Sequence, residues 1–160
     1  MKIKSLTLHN FRNYERETVT FSENTNIVFG NNAQGKTNLL EAVYLFSHGK
    51  SHRTKSDAEM IKFGNEFMRL TLEFADKNRD YRAIMQLAKN GKKSVRINNV
   101  PITKLSMLMH YLNVVMFSPE DLEIVKGAPQ LRRRFLDEAI SQIYPLYLKC
   151  LISYHKNLAQ

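Results

Sequence analysis

The chain opens with strict alternation of apolar and polar positions. "KSLTLHNF" alternates at Leu6 and Leu8, and "ETVTFS" alternates at Val19 and Phe21. Both predict half-buried strands, joined through "NFRNYER". "NIVF" is a short β-rich run that ends at Gly30, and it predicts a buried strand. The period then changes. Over residues 36–48, Leu39, Val43 and Phe46 share one helical face and Leu40 and Tyr44 another, while Ala42 and Leu45 fill the rest. A helix apolar nearly all round belongs inside a domain, and Gly49 ends it.

"GKSHRTKSDAE" follows as a polar loop, with a short helix expected from Ser56 through Met60 to Phe63. Alternation returns at Leu70, Leu72 and Phe74, and again at Tyr81, Ala83, Met85 and Leu87. Asn90-Gly91 is a hairpin-turn dipeptide, and "KSVRINN" comes after it. The prediction is an antiparallel meander over 66–100, inserted after the first helix. "ITKLSMLMHYL" predicts a helix and "NVVMF" a strand. Ser118 fits an N-cap, with Pro119 at the first helical position and Asp121 at the third. A long helical pattern starts at Pro129, runs through Leu131, Phe135, Ala139 and Ile143, and is split at Pro145. Its second part holds Leu148, Leu151, Ile152, His155 and Leu158, with no stop signal after it.

Composition adds a class and a charge. The 160 residues are 43% hydrophobic and 24% charged, as in ordinary globular proteins, and suffice for a real core. No apolar stretch approaches the ~20 residues that span a bilayer, and the N-terminus has no signal-peptide core. The one cysteine, Cys150, excludes an internal disulfide; its helical pattern predicts a buried thiol, and a reducing cytoplasm fits. The net charge is +9. Between Asp80 and Glu120 there is no acid, but there are Arg82, Lys89, Lys92, Lys93, Arg96 and Lys104. A polyanionic partner or a solvated basic face would both produce that bias.

The most specific chemistry lies at the change of period. Gly30, Asn31, Asn32, Ala33, Gln34, Gly35, Lys36 and Thr37 satisfy G-x-x-x-x-G-K-[ST]. Such a loop must turn its backbone N–H groups inward onto phosphate, which needs the positive φ that glycine permits. The helix that follows aims its unpaired N–H groups and dipole at the same anion. Lys36 would reach the outer phosphates of ATP, and Thr37 would offer a hydroxyl to Mg²⁺. Other candidates are weaker. His48 and His52 have metal-like spacing but no third ligand, and read as solvated loop histidines. His9 reads as a residue of the sheet surface. Leu136-Asp137-Glu138 resembles an acidic strand end, yet its surroundings are helical and follow Arg132, Arg133 and Arg134. At least one of those arginines should pair with an acid such as Glu138.

Three stretches together, "LTLHNFRNYE", "VFGNNAQGKTNLLEAVYLFSHGKSHRT" and "VVMFSPEDLEIVKGAPQLRRRFLDEAI", resemble the RecF family of bacterial DNA-repair ATPases. That family is similar to ABC-type ATPases with SMC-like heads. The resemblance implies an α/β P-loop NTPase, and the chain would be the N-terminal portion of such a head. Residues 1–50 would form the P-loop core and 104–160 a helical region beginning the second lobe. It implies binding of ATP and Mg²⁺, an ATP-dependent homodimer, DNA binding at single strands and single/double-strand junctions, and work with RecO and RecR proteins. By position, Asn38 continues the phosphate loop, Asn10, Phe11 and Arg12 match the stretch beside the nucleotide, and His52, Arg53 and Thr54 match the loop after the first helix.

Two departures from the pattern stand out. SMC-type heads carry a glutamine near the end of the strand resembling "NVVMF", where this chain has Ser118, with Glu120 or Asp121 as substitutes. The family's signature motif and acidic strand end would lie beyond residue 160, so no catalytic residue is assigned and the chain by itself is expected to be inactive. Two other classes compete. A transporter ATPase subunit shares the P-loop but not the basic meander; a non-catalytic DNA-binding module has no use for Lys36-Thr37.

Overall fold

The structure, a computed structural model, describes residues 1–158, and the side chains of Glu120 and Pro145 lie outside the description. Any role of Glu120 in place of the glutamine is therefore outside the described residues. The chain divides into two compact units, residues 1–108 and 109–160.

The first unit is a six-stranded antiparallel sheet in the order β2-β1-β3-β4-β5-β6. The strands are β1 Lys2–Phe11, β2 Tyr14–Thr20, β3 Phe67–Ala75, β4 Asp80–Ala88, β5 Lys93–Ile97 and β6 Val100–Pro101. The period-2 patterns turn Leu6, Leu8, Leu70, Leu72, Met85 and Leu87 to one face, where they are fully buried. Because β3 pairs with β1, the expected meander is continuous with the first hairpin and shares one sheet with it. Helix α1, Lys36–His48, begins after Gly35 and ends at Gly49, both left-handed, and packs on β3. Its buried side includes Leu39, Ala42, Leu45 and Phe46, but also Glu41, while Leu40 is exposed. The short helix after Ser56 is a 3-10 turn, Asp57–Met60.

Two predicted strands are absent. Residues 26–29 form no ladder, and Ile27 and Phe29 are 80% and 88% exposed. "NVVMF" forms none either, and Val115 is 91% exposed. A strand of that composition is held by neighbours on both sides, and no described strand pairs with either run. The helix expected over 102–112 shrinks to a 3-10 segment, Leu105–His110.

The second unit is helical. A 3-10 turn over Pro119–Leu122 leads into α2, Glu123–Lys126, then α3, Pro129–Ile143, and α4, Pro145–Leu158. Ser118 starts the turn as expected: its N–H and hydroxyl both donate to Asp121 Oδ2, at 2.6 and 3.0 Å. The Gln142 amide exchanges two hydrogen bonds with the backbone of Val114, at 3.0 and 3.2 Å, as a neighbouring strand would. Arg134 pairs with Glu138 at 2.9 Å along α3, and Asp137 and Glu138 are helical. Cys150 is exposed, contrary to the expected burial. The described residues of its unit leave much of α4 uncovered, including Leu146 and Ile152. Among the described residues no helix is long and apolar enough to cross a membrane.

Candidate functional site

The glycine-rich loop has the backbone that its sequence demands. Gly30, Ala33 and Gly35 take φ of 143°, 64° and 102°. Lys36, the first residue of α1, folds back over the loop and donates from Nζ to Gly30 O and Asn31 O, both at 2.7 Å. The cation thus sits at the centre of its own loop. Residues 30–34 are exposed, while Gly35 is buried. A Cβ on Gly35 would stand 2.7 Å from Asn13 Oδ1 and 3.0 Å from Tyr14 Cζ, so glycine is required by space as well as by φ. Thr37 is exposed in the first turn of α1.

The turn between β1 and β2 holds the loop from behind. Asn13 donates to Gln34 O at 3.1 Å and accepts from Asn38 Nδ2 at 2.8 Å. The Tyr14 hydroxyl donates to Gly35 O at 3.2 Å. Burial, helped by the charge of Glu17, pushes the Tyr14 pKa up and keeps that donor protonated.

Beneath the loop lies a buried carboxylate. Glu41 on α1 is fully buried and accepts from Arg12 Nε at 3.0 Å and Nη2 at 2.6 Å, and also from the Ser51 hydroxyl. Arg53 approaches it at 3.5 Å while donating to Asn38 Oδ1 at 2.7 Å. Burial alone would raise the Glu41 pKa, but the bonds from Arg12 and Ser51 and the charges of Arg12 and Arg53 outweigh it, and the carboxyl stays below its ordinary range. Arg12 also donates to Glu59 O at 2.9 Å. One network therefore ties the β1–β2 turn, α1 and the loop after α1 to the back of the glycine-rich loop.

The sequence-predicted residues fall into two groups. Gly30 to Asn38 are together. Asn10 is buried at the end of β1, with positive φ and its carbonyl bonded to Lys62 N. The guanidinium of Arg12 is turned onto Glu41 rather than onto the loop. His48 and His52 are half-buried: both pack on Tyr44, the first stacked at 4.0 Å and the second edge-on at 5.1 Å. Among the described residues no group of three His, Cys, Asp or Glu could hold a metal. His9 lies on the sheet surface, as expected, stacked on Phe67. Sequence reasoning missed Asn13, Tyr14 and Glu41. For Glu41 there was a signal, a lone acid inside an apolar helical run.

A left-handed loop that wraps a lysine and opens a buried helix defines a P-loop nucleotide-binding domain. The chain belongs to the AAA ATPase domain family, whose match spans residues 1–128. Over all 160 residues it is 49% identical to the DNA replication and repair protein RecF of Agathobacter rectalis and 47% identical to that of Clostridioides difficile. It spans 44% and 43% of their lengths. A solved structure of the recombination mediator protein RecF with ATP superimposes on 99% of the chain, with a TM-score of 0.91 and 34% identity; 43% of that chain is covered. An SMC ATPase at 17% identity and a TM-score of 0.71 shares the fold, over 87% of this chain and 99% of its own. The resemblance to RecF read from the three sequence stretches holds along the whole chain.

Proposed function

We propose that this chain is the nucleotide-binding portion of a RecF-type DNA-repair ATPase head, which binds ATP and acts on gapped or single-stranded DNA. The observation that carries the reading is the loop over 30–37, wrapped around Lys36 and backed by Asn13 and Tyr14, in a chain 34% identical to a RecF solved with ATP. The two sides of the loop fit a phosphate site: behind Gly35, Asn13 and Tyr14 leave no room for a Cβ, while residues 30–34 are open to solvent, as a cradle for an external anion requires. Lys36 would exchange its bonds with Gly30 O and Asn31 O for the phosphates. Thr37 would supply the hydroxyl for Mg²⁺, and the ion would neutralise developing phosphate charge. Asn10 and Arg12 would act from the β1 side, Arg12 through Glu41. ATP-dependent pairing of two heads and contacts with RecR- and RecO-type proteins belong to the same reading, which rests there on the similarity to RecF.

Phosphoryl transfer needs charge stabilisation on both sides of the transferred group. Among the described residues, no carboxylate bonds to the loop, and Lys36 provides one side alone. The 160-residue chain should therefore bind ATP without releasing phosphate above background. Steady-state phosphate release, beside the Lys36→Ala variant and the full-length protein, is the check. Turnover equal to the full-length rate, and abolished by Lys36→Ala, would place the missing groups inside this chain.

A further inference from the structure

The sheet has a second face, turned away from the core, and its register gathers residues that lie far apart in sequence. His9 on β1 stands opposite Arg16 on β2 and opposite Arg69 on β3. Neighbouring strands lie about 4.8 Å apart, so the two arginines flank His9 at roughly 10 Å from each other. Arg96 on β5 continues the surface, paired with Ile84 of β4 one row along. Arg16, Arg69 and Arg96 are exposed, and none forms an ion pair with a described residue. The acids on this face, Glu73 and Asp80, stand toward its other end and are already paired with Arg82 and Lys4. Beside the arginines the ring of Phe67, 46% exposed, stacks on His9 at 5.6 Å and 26°.

Unpaired guanidinium groups interleaved with an exposed aromatic platform match one kind of ligand. Phosphates take the charge and unstacked bases take the ring faces. A duplex keeps its bases stacked and has no use for the platform. We infer that the outer face of this sheet binds a single-stranded stretch of DNA, with Arg16, Arg69 and Arg96 on phosphates and the Phe67–His9 pair under a base. This assigns a surface to the DNA binding proposed above and rests on that reading. It also moves the contact away from Lys89 and Lys93 of the basic run. Lys93 is committed to Asp57 at 2.9 Å and to Gly49 O, and Lys89 to Glu66 at 3.2 Å.

The test uses the full-length protein and a fluorescent oligothymidine, with anisotropy measured across a salt series and ATP binding measured in parallel. The R16Q/R69Q/R96Q variant should lower the slope of log affinity against log salt by about two units, since each single-strand phosphate contact contributes about 0.7. Phe67→Ala should weaken oligothymidine binding about five- to a hundredfold, with a smaller effect on duplex DNA. Both variants should bind ATP as the wild type does, which shows that they are folded. Three results would overturn the inference. In the first, wild-type oligothymidine binding survives in the triple variant with its slope unchanged, so DNA binds elsewhere. In the second, Phe67→Ala loses ATP instead of DNA, so the ring pair serves the nucleotide base. In the third, the wild type binds ATP but no oligonucleotide, and the DNA reading falls together with the surface.

Discussion

Lys36→Ala weakens ATP binding by about ten- to a hundredfold. A hydrogen bond from a charged group is worth roughly 1.5–3 kcal/mol, and each 1.4 kcal/mol is about a factor of ten in affinity. Lys36 already shows the reach required. Its ammonium group lies over the loop, where it donates to Gly30 O and Asn31 O, and it would exchange these bonds for an outer phosphate. The helix N-terminus and the loop N–H groups remain in the variant, which is why binding is weakened and not abolished. Calorimetric titration of wild type and variant reads the effect. Equal affinities would remove Lys36 from the phosphate site.

Glu41→Ala produces the largest loss of stability. Glu41 is completely buried, and its carboxylate is the shared acceptor for Arg12, Ser51 and Arg53. Removing one partner of a buried pair leaves the other charge uncompensated, at a cost of about 3–5 kcal/mol. Arg12 would be the group left behind, with its side chain 15% exposed and Glu59 O as a remaining acceptor. The network also gives stability a pH dependence with a definite sign. The folded carboxyl titrates below its ordinary value, so the folded state binds its proton less readily than the unfolded chain does. The stabilisation is therefore present above the ordinary glutamate range and disappears as pH falls through the lowered folded value. Urea denaturation at neutral pH should show the alanine variant greatly weakened. A Glu41→Gln variant should lose less of its stability on acidification than the wild type. A wild type and a glutamine variant with parallel acid profiles would mean that Glu41 carries no such linkage.

How far the sequence disclosed this arrangement depends on how local each feature is. The limits of helix α1 were legible because they are set by Gly35 and Gly49, while its buried side, with Glu41 inside and Leu40 exposed, depends on what packs against it. The hairpins were legible because alternation and Asn90-Gly91 act within one strand pair. The positive-φ loop over 30–37 was legible because the motif fixes four positions of its eight, Gly30, Gly35, Lys36 and Thr37. "NIVF" and "NVVMF" misled because composition reports a strand's preference, while a ladder also needs a neighbouring strand, and no described strand provides one. The basic run disclosed a charge bias but not where its members lie: the fold turns Lys93 to the end of α1 and Asp57 and leaves Arg96 exposed on the sheet. Arg16 and Arg69 meet across β1 only because residues 53 positions apart flank His9 in the register. Cys150 was misjudged since a helical stripe is buried only where something covers it.

The central claim is that the backbone of residues 30–37 cradles the phosphates of ATP. Amide hydrogen exchange of the protein, with and without ATP and Mg²⁺, tests it at the level of single N–H groups. Slowed exchange on ATP addition is predicted for the amides of Asn31 to Thr37, and this protection should be largely lost in the Lys36→Ala variant at the same ATP concentration. ATP binding that protects other segments, while the amides of 31–37 exchange as they do without nucleotide, would contradict it.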